Sequence, residues 1–279
     1  MKGIFGNTNS AKEIVKKQSG SLATSNLAEL GQVARDNVSK EDLPRPSLRI
    51  LQSNSPQISE ENSKYVQGAK PGMIFNTSTR EFYSGKEQDE QLVILICKYW
   101  PKVIEWLPGR KGFVAEHEIG SKMTLSENIT IADENGRRVE YSKLTGNILV
   151  KTAIYYCLAF IDGETSPREV VIDMYSTNWT TAKSLNAHFE NAKVMGPHGE
   201  VPGPIFTWAY QFYHRHRTDS ENNNWYVWDF KPLVQIDKMP GEHQKYIEHY
   251  IKSATKYRQA VEKGDLNFDY RNKESQPDI

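Results

Sequence analysis

The sequence predicts a mainly β fold: a small antiparallel barrel with inserted hairpins, one short helix and a C-terminal amphipathic helix. Three observations carry that prediction. Apolar and aromatic stretches of strand length recur with period-2 alternation between Met73 and Phe230. Turn signals separate them, among them Pro71–Gly72, Asn135–Gly136 and the polar run TDSENNN at 218–224. Strand patterns never alternate with long helical ones, which argues against a parallel sheet. A two-sheet sandwich satisfies the same pattern, and the sequence does not separate the two.

Residues 1–43 are rich in Ser, Asn, Lys and Ala and hold no aromatic after Phe5, so they read as a flexible arm with short helical patches at 11–17 and 27–35. The folded domain spans 44–263. Pro44 and Pro46 force an extended entry into SLRILQ. A small hairpin follows, with 73–75 pairing to 81–83. The most apolar run, QLVILICKYW at 91–100, predicts a central strand covered on both faces. Its end turns cationic and aromatic, and Gly109, Arg110, Lys111 and Gly112 then form a loop able to approach phosphates. A second hairpin centres on Asn135–Gly136. NILVKTAIYYCLAF at 147–160 and REVVIDMYS at 168–176 read as an antiparallel pair.

Leu185, Ala187, Phe189 and Ala192 are spaced for a helix, capped by Thr180 or Thr181 and stopped at Gly196. Near the end, Tyr246, Ile247, Tyr250, Ile251, Ala254, Tyr257, Ala260 and Val261 form one broad helical stripe. Residues 264–279 make a flexible, mildly acidic tail, with four carboxylate side chains from Asp265 on against Arg271 and Lys273.

The organising stretch is GPIFTWAYQFYHRHRTDSENNNWYVWDFK at 203–231, two aromatic runs around a polar turn. Alternation sets Phe206, Trp208, Tyr210, Phe212, His214 and His216 on one face, and Thr207, Gln211, Tyr213, Arg215 and Arg217 on the other. The return strand carries Trp225 and Val227 on one face, Tyr226, Trp228 and Phe230 on the other. Rings and guanidinium groups on one ribbon suit stacking on bases and pairing with phosphates. A hairpin with a large aromatic core explains the same residues.

Lys+Arg and Asp+Glu are both 35 in 279 residues, so net charge is zero. That argues against a histone-like binder and requires any nucleic-acid surface to segregate its cations. Cys97 and Cys157 lie in apolar runs and read as buried free thiols of a reducing compartment. No phosphate loop, zincin helix, nucleophile elbow or dinucleotide fingerprint occurs, so neither an enzyme nor a cofactor is expected. His214 and His216 share a face without a third ligand at a recognised spacing, so no metal site is expected. No segment has the length and apolarity of a signal peptide or a membrane span.

PRPSLRILQ at 44–52, GAKPGMIFNT at 68–77, Tyr99 with VIEW at 103–106, MYST before the NWTTAKSLNAHF helix, and FTWAYQFYHRHR followed by NNWYVWDF occur in this order. In this the chain resembles phage-encoded single-stranded DNA-binding proteins and related proteins of tailed phages, over most of 44–263. The resemblance implies an OB-like antiparallel barrel, of the oligonucleotide-binding type. It implies coating of single-stranded DNA in phage replication or recombination, without catalysis, in the cytoplasm of the infected bacterial host. Bases are then expected on some of Trp100, Trp106, Tyr213, Trp225 and Trp228. Phosphates are expected on Lys98, Lys102, Arg110, Lys111, Lys151, Arg215 and Arg217. The expected partners are single-stranded DNA and, through the tail, phage replication or recombination proteins. A homo-oligomer is compatible and a membrane is not. The competing reading is a structural or assembly protein of the virion, which would show apolar patches in place of a basic surface.

Overall fold

The computed structural model describes residues 43–266 apart from 90–91, 135–136, 162–165 and 240. The arm up to residue 42, the tail from 267 and the Asn135–Gly136 turn lie outside the described residues. Thirteen strands form in chain order. They are β1 Ser47–Ile50, β2 Ile74–Asn76, β3 Phe82–Tyr83, β4 Leu92–Trp106, β5 Phe113–Glu118, β6 Ile129–Glu134 and β7 Arg137–Ser142. The rest are β8 Ile148–Ile161, β9 Arg168–Tyr175, β10 Lys193–Gly196, β11 Gly199–Pro202, β12 Trp208–Thr218 and β13 Asn224–Gln235. Helix α1 covers Trp179–Glu190 and α2 covers Ile247–Lys263.

Eleven strands make one mixed sheet in the order β13-β12-β4-β8-β9-β1-β2-β3, with β5 beside β4 and the β6–β7 hairpin beside β8; β10 and β11 pair apart from it. The sheet is strongly curled into a half-barrel. This is larger than the small antiparallel barrel expected, and one pair departs from it. β1 runs parallel to β9, with Leu48 beside Ile172, because the chain reaches that edge from the N-terminal side rather than through a hairpin. The four expected hairpins or strand pairs form, with for example Ile74 opposite Tyr83 and Ala153 opposite Met174.

β4 continues through Pro101 instead of ending there. β8 flanks all of it, but on the other side β12 pairs only with residues 93–95 and β5 only with 102–106. Pro101 thus sits where no second strand asks for its missing N–H.

The inner face gathers Leu48, Ile74, Ile94, Ile96, Tyr155, Ile172, Tyr210, Phe212 and Trp228, residues from both edges of the sheet, against Ala182 and Leu185 of α1. Only a curl brings both edges to one cluster. The outer face packs Val93, Leu95, Ile154, Tyr156, Leu158 and Phe160 against Tyr250, Ala254, Tyr257 and Val261 of α2. Those four recur at helical spacing, and the Phe160 and Tyr250 rings meet edge-on at 4.8 Å. Each large side chain so buried contributes roughly 1.5–3 kcal/mol. Helix α1 stops at Glu190, earlier than the expected Gly196, which instead belongs to the β10–β11 hairpin.

The two edges of the half-barrel meet without pairing as strands. Gln52 Nε2 donates to the Tyr226 carbonyl at 2.9 Å, and the Tyr226 N–H donates to Gln52 Oε1 at 2.9 Å, so one side-chain amide stands in for a strand. Beside this seam the His214 N–H donates to the Gly85 carbonyl at 2.7 Å, and His214 Nδ1 lies 2.6 Å from the Gly72 carbonyl. Burial holds the His214 pKa below its usual value although the Gly72 bond pulls the other way, and burial does the same to His188, whose Nδ1 lies 3.0 Å from the Tyr210 hydroxyl. A depressed imidazole takes up its proton more readily in the unfolded chain. Stability is therefore expected to be full above about pH 6.5 and to fall below it. Urea midpoints at pH 7.5 and pH 5.5 check this; an equal or higher midpoint at pH 5.5 contradicts it.

Candidate nucleic-acid interface

The distal half of the β12–β13 hairpin pairs only with itself. β4 holds β12 at 209–211, whereas the hairpin ladder runs on to Thr218 opposite Asn224. Its turn is tied by Asp219, whose carboxylate accepts from the Glu221 and Asn223 N–H groups at 2.9 Å each. On the outer face Arg217 stands directly opposite Trp225, and Arg215 opposite Val227. Arg215 is ion-paired to Asp229, but Arg217 is exposed and makes no ion pair among the described residues. Trp225 is half-buried, and its indole N–H has no acceptor among the described residues.

A second group lies on the outer face where β9, β8, β4 and β5 run side by side. Tyr175, Thr152, Lys102 and Glu118 form one cross-strand row. Lys102 Nζ contacts Glu118 at 2.6 Å and lies 4.2 Å from the Trp100 ring centre; the Trp100 indole N–H donates to Glu118 at 3.0 Å. Glu118 titrates below the usual carboxylate range: burial opposes this, and the bonds from Lys102 and Trp100 outweigh it. Lys98 is engaged by Glu262 of α2 at 2.7 Å. Arg110 and Lys111 sit in the turn between β4 and β5, with Gly109 and Arg110 both in the left-handed region at φ 66° and 53°.

The seam joins the two groups. A cavity of about 80 Å³ is lined from the β1 side by Arg49 and Gln52, from β9 by Tyr175, and from the hairpin by Tyr226. Arg49 follows Leu48, which faces inward, so it points outward beside Asp173. Tyr175 of the cross-strand row and Tyr226 of the hairpin thus meet with Arg49 at one cavity; Arg217, Trp225, Arg110, Lys102 and Trp100 complete the outer set.

Four expected site residues do not join it. Trp106, Trp228 and Tyr213 are only 2%, 3% and 9% exposed, so no ring face is open to a base. Trp106 meets Phe113 edge-on beneath β5, and the Trp228 backbone N–H donates to Asn178 while its carbonyl accepts from Thr181. Lys151 is exposed on the opposite, inner side of β8, with Nζ 5.2 Å from the Trp179 ring. Sequence reasoning missed Arg49, Tyr175 and Tyr226. The parity of Arg49 between Leu48 and Ile50 was its only signal.

A buried carboxylate steadies this end of the sheet. Glu105 accepts from Thr145 Oγ1 at 2.6 Å and Asn147 Nδ2 at 2.7 Å, and His117 Nε2 lies 2.7 Å from its other oxygen. Burial raises its pKa, but these three hydrogen bonds together outweigh that and hold it below the usual range. The Cys97 and Cys157 thiols are free and buried, and burial pushes both pKa values up. Among the described residues no three His, Cys, Asp or Glu side chains are grouped to hold a metal, and no helix is long and apolar enough to cross a membrane.

No curated protein and no solved structure matches the chain. A family model described as Pam3 phage gp34-like protein matches residues 15–263, which takes in the whole sheet, both helices and part of the N-terminal arm. The chain is a phage protein and belongs to the Pam3 phage gp34-like protein family.

Proposed function

We propose that this protein binds single-stranded DNA across the barrel seam, in phage replication or recombination in the host cytoplasm, and without catalysis. Bases stack on Trp225 and Trp100; phosphates pair with Arg217, Arg49, Arg110, Lys102 and Lys111. One observation carries the reading. In a chain of zero net charge, the Arg49, Arg110 and Arg217 side chains have no carboxylate partner among the described residues, and half-buried rings stand beside two of them, Tyr175 at the Arg49 cavity and Trp225 opposite Arg217. That is the segregation of charge a neutral nucleic-acid binder needs. On this reading the half-barrel is an enlarged OB-type scaffold.

The variant Trp225→Ala with Arg217→Ala tests it. Each stacked base contributes about 1–3 kcal/mol, so affinity for oligo-dT should fall at least tenfold while the unfolding midpoint stays near wild type. Unchanged affinity would place the strand elsewhere.

A virion structural role is the second reading, and one observation favours it. Among the described residues six of the ten exposed large hydrophobics, Leu107, Val114, Ile119, Leu125, Ile131 and Leu144, fall within the β4–β8 connections. Immunodetection of the protein in purified virions, together with no oligonucleotide binding, would favour that role.

A further inference from the structure

We infer that the seam cavity is a phosphoryl-anion site, with Arg49 and Tyr175 as its donors. Two arginines start beside one carboxylate, and only one of them uses it. Arg45 grips Asp173 through both terminal nitrogens, at 2.7 and 2.8 Å, with Arg45 buried and Asp173 half-buried. That two-pronged bond neutralises the one acid on the cavity wall. Arg49 makes no hydrogen bond or ion pair with any described residue, and neither does Arg110.

The Tyr175 hydroxyl has no hydrogen-bond partner among the described residues either, and both guanidinium groups act on it. Burial and then Asp173 push its pKa up, while Arg49 and Arg110 pull it down. An anion in the cavity would receive the Arg49 guanidinium and the Tyr175 phenolic O–H. The remaining wall is mixed: Leu48, Ile50, Leu51, Pro56, Phe75 and Trp228 share it with polar groups. Ser55 Oγ accepts from the Gln52 N–H, which leaves its own proton to donate, and the buried Gln57 amide has no side-chain partner among the described residues. Asn178 uses Oδ1 on the Trp228 N–H, leaving its amide N–H groups.

Size selects the ligand. About 80 Å³ is far below the roughly 300 Å³ at which pockets begin to enclose whole small molecules, so the site takes the phosphoryl group and leaves the rest outside. Backbone strain lies beside the cavity as well: Ser176, immediately after Tyr175, has a positive φ of 51°.

The site does not rest on the DNA reading. The same chemistry would hold a free phosphate, a terminal phosphate of a nucleotide or a phosphate of a strand. Isothermal titration of the full chain with inorganic phosphate, against chloride at matched ionic strength, tests it first. Saturable 1:1 binding is expected, weakened at least tenfold in Arg49→Gln, weakened in Tyr175→Phe and unchanged in Arg217→Gln. No binding by the wild type, or equal binding by folded Arg49→Gln and Tyr175→Phe, overturns the site; circular dichroism confirms folding, and either variant suffices. Oligo-dT anisotropy on the same proteins separates the sources. Loss of both ligands in Arg49→Gln supports a strand phosphate, and loss of phosphate alone supports a free one. Phosphate binding by a wild type that ignores oligo-dT supports the site while removing the DNA reading.

Discussion

Gly85→Ala is expected to lower the unfolding free energy by about 2–3 kcal/mol, at the upper end of overpacking costs. The reason is a close approach of backbone to backbone. A Cβ at Gly85 would stand 2.3 Å from the Gly72 carbonyl oxygen and 2.5 Å from His214 Nδ1. Neither can yield cheaply, since that oxygen and that nitrogen are bonded to each other and the His214 N–H is bonded to Gly85 itself. The His214 ring is also packed edge-on against Tyr226 at 4.8 Å. Relief therefore means opening the seam. Denaturant titration measures the loss; a change within about 0.5 kcal/mol, the usual range at surface sites, would contradict the closure described here.

Trp106→Ala is expected to cost about 3–5 kcal/mol, as large-to-small changes of buried aromatics do. Its ring is 2% exposed, between the edge of Phe113 and the outer cluster of Ile104, Ile148 and Val150. The same substitution separates the two roles a tryptophan at the end of β4 can have. A stacking ring would cost little stability and much DNA affinity; a core ring costs stability first. A loss below about 1 kcal/mol by urea titration would return Trp106 to the surface.

These two residues mark where the sequence was legible. Alternation along 208–217 sorted the hairpin by parity, and Arg215 and Arg217 do share the outer face with Trp225; Phe206 lies in a turn and packs in the outer cluster, away from Tyr210 and Phe212. Parity says which side chains travel together, not whether their side is covered. α2 and the β5–β7 strands cover the outer face of β4 at its two ends, so Trp106 is buried while Trp100, six residues earlier on the same face, is half-exposed. The α2 stripe was readable because helix burial follows a local period. The seam was not, because Gln52 and Tyr226 are 174 residues apart and no local pattern encodes their meeting. Arg49 escaped notice for the same reason: its value as a cation depends on Arg45 having taken Asp173, 128 residues away.

The parallel β1–β9 pair was missed because parallel strands were sought through a strand–helix–strand pattern, whereas β1 joins β9 from the far end of the chain.

The measurement that bears most directly on the central claim is fluorescence anisotropy of the wild-type chain with labelled oligo-dT and a duplex control, at low and high salt. Binding to the single strand over the duplex, weakening steeply with salt and quenching tryptophan emission, is the predicted result. No binding to oligo-dT at low salt would contradict the claim.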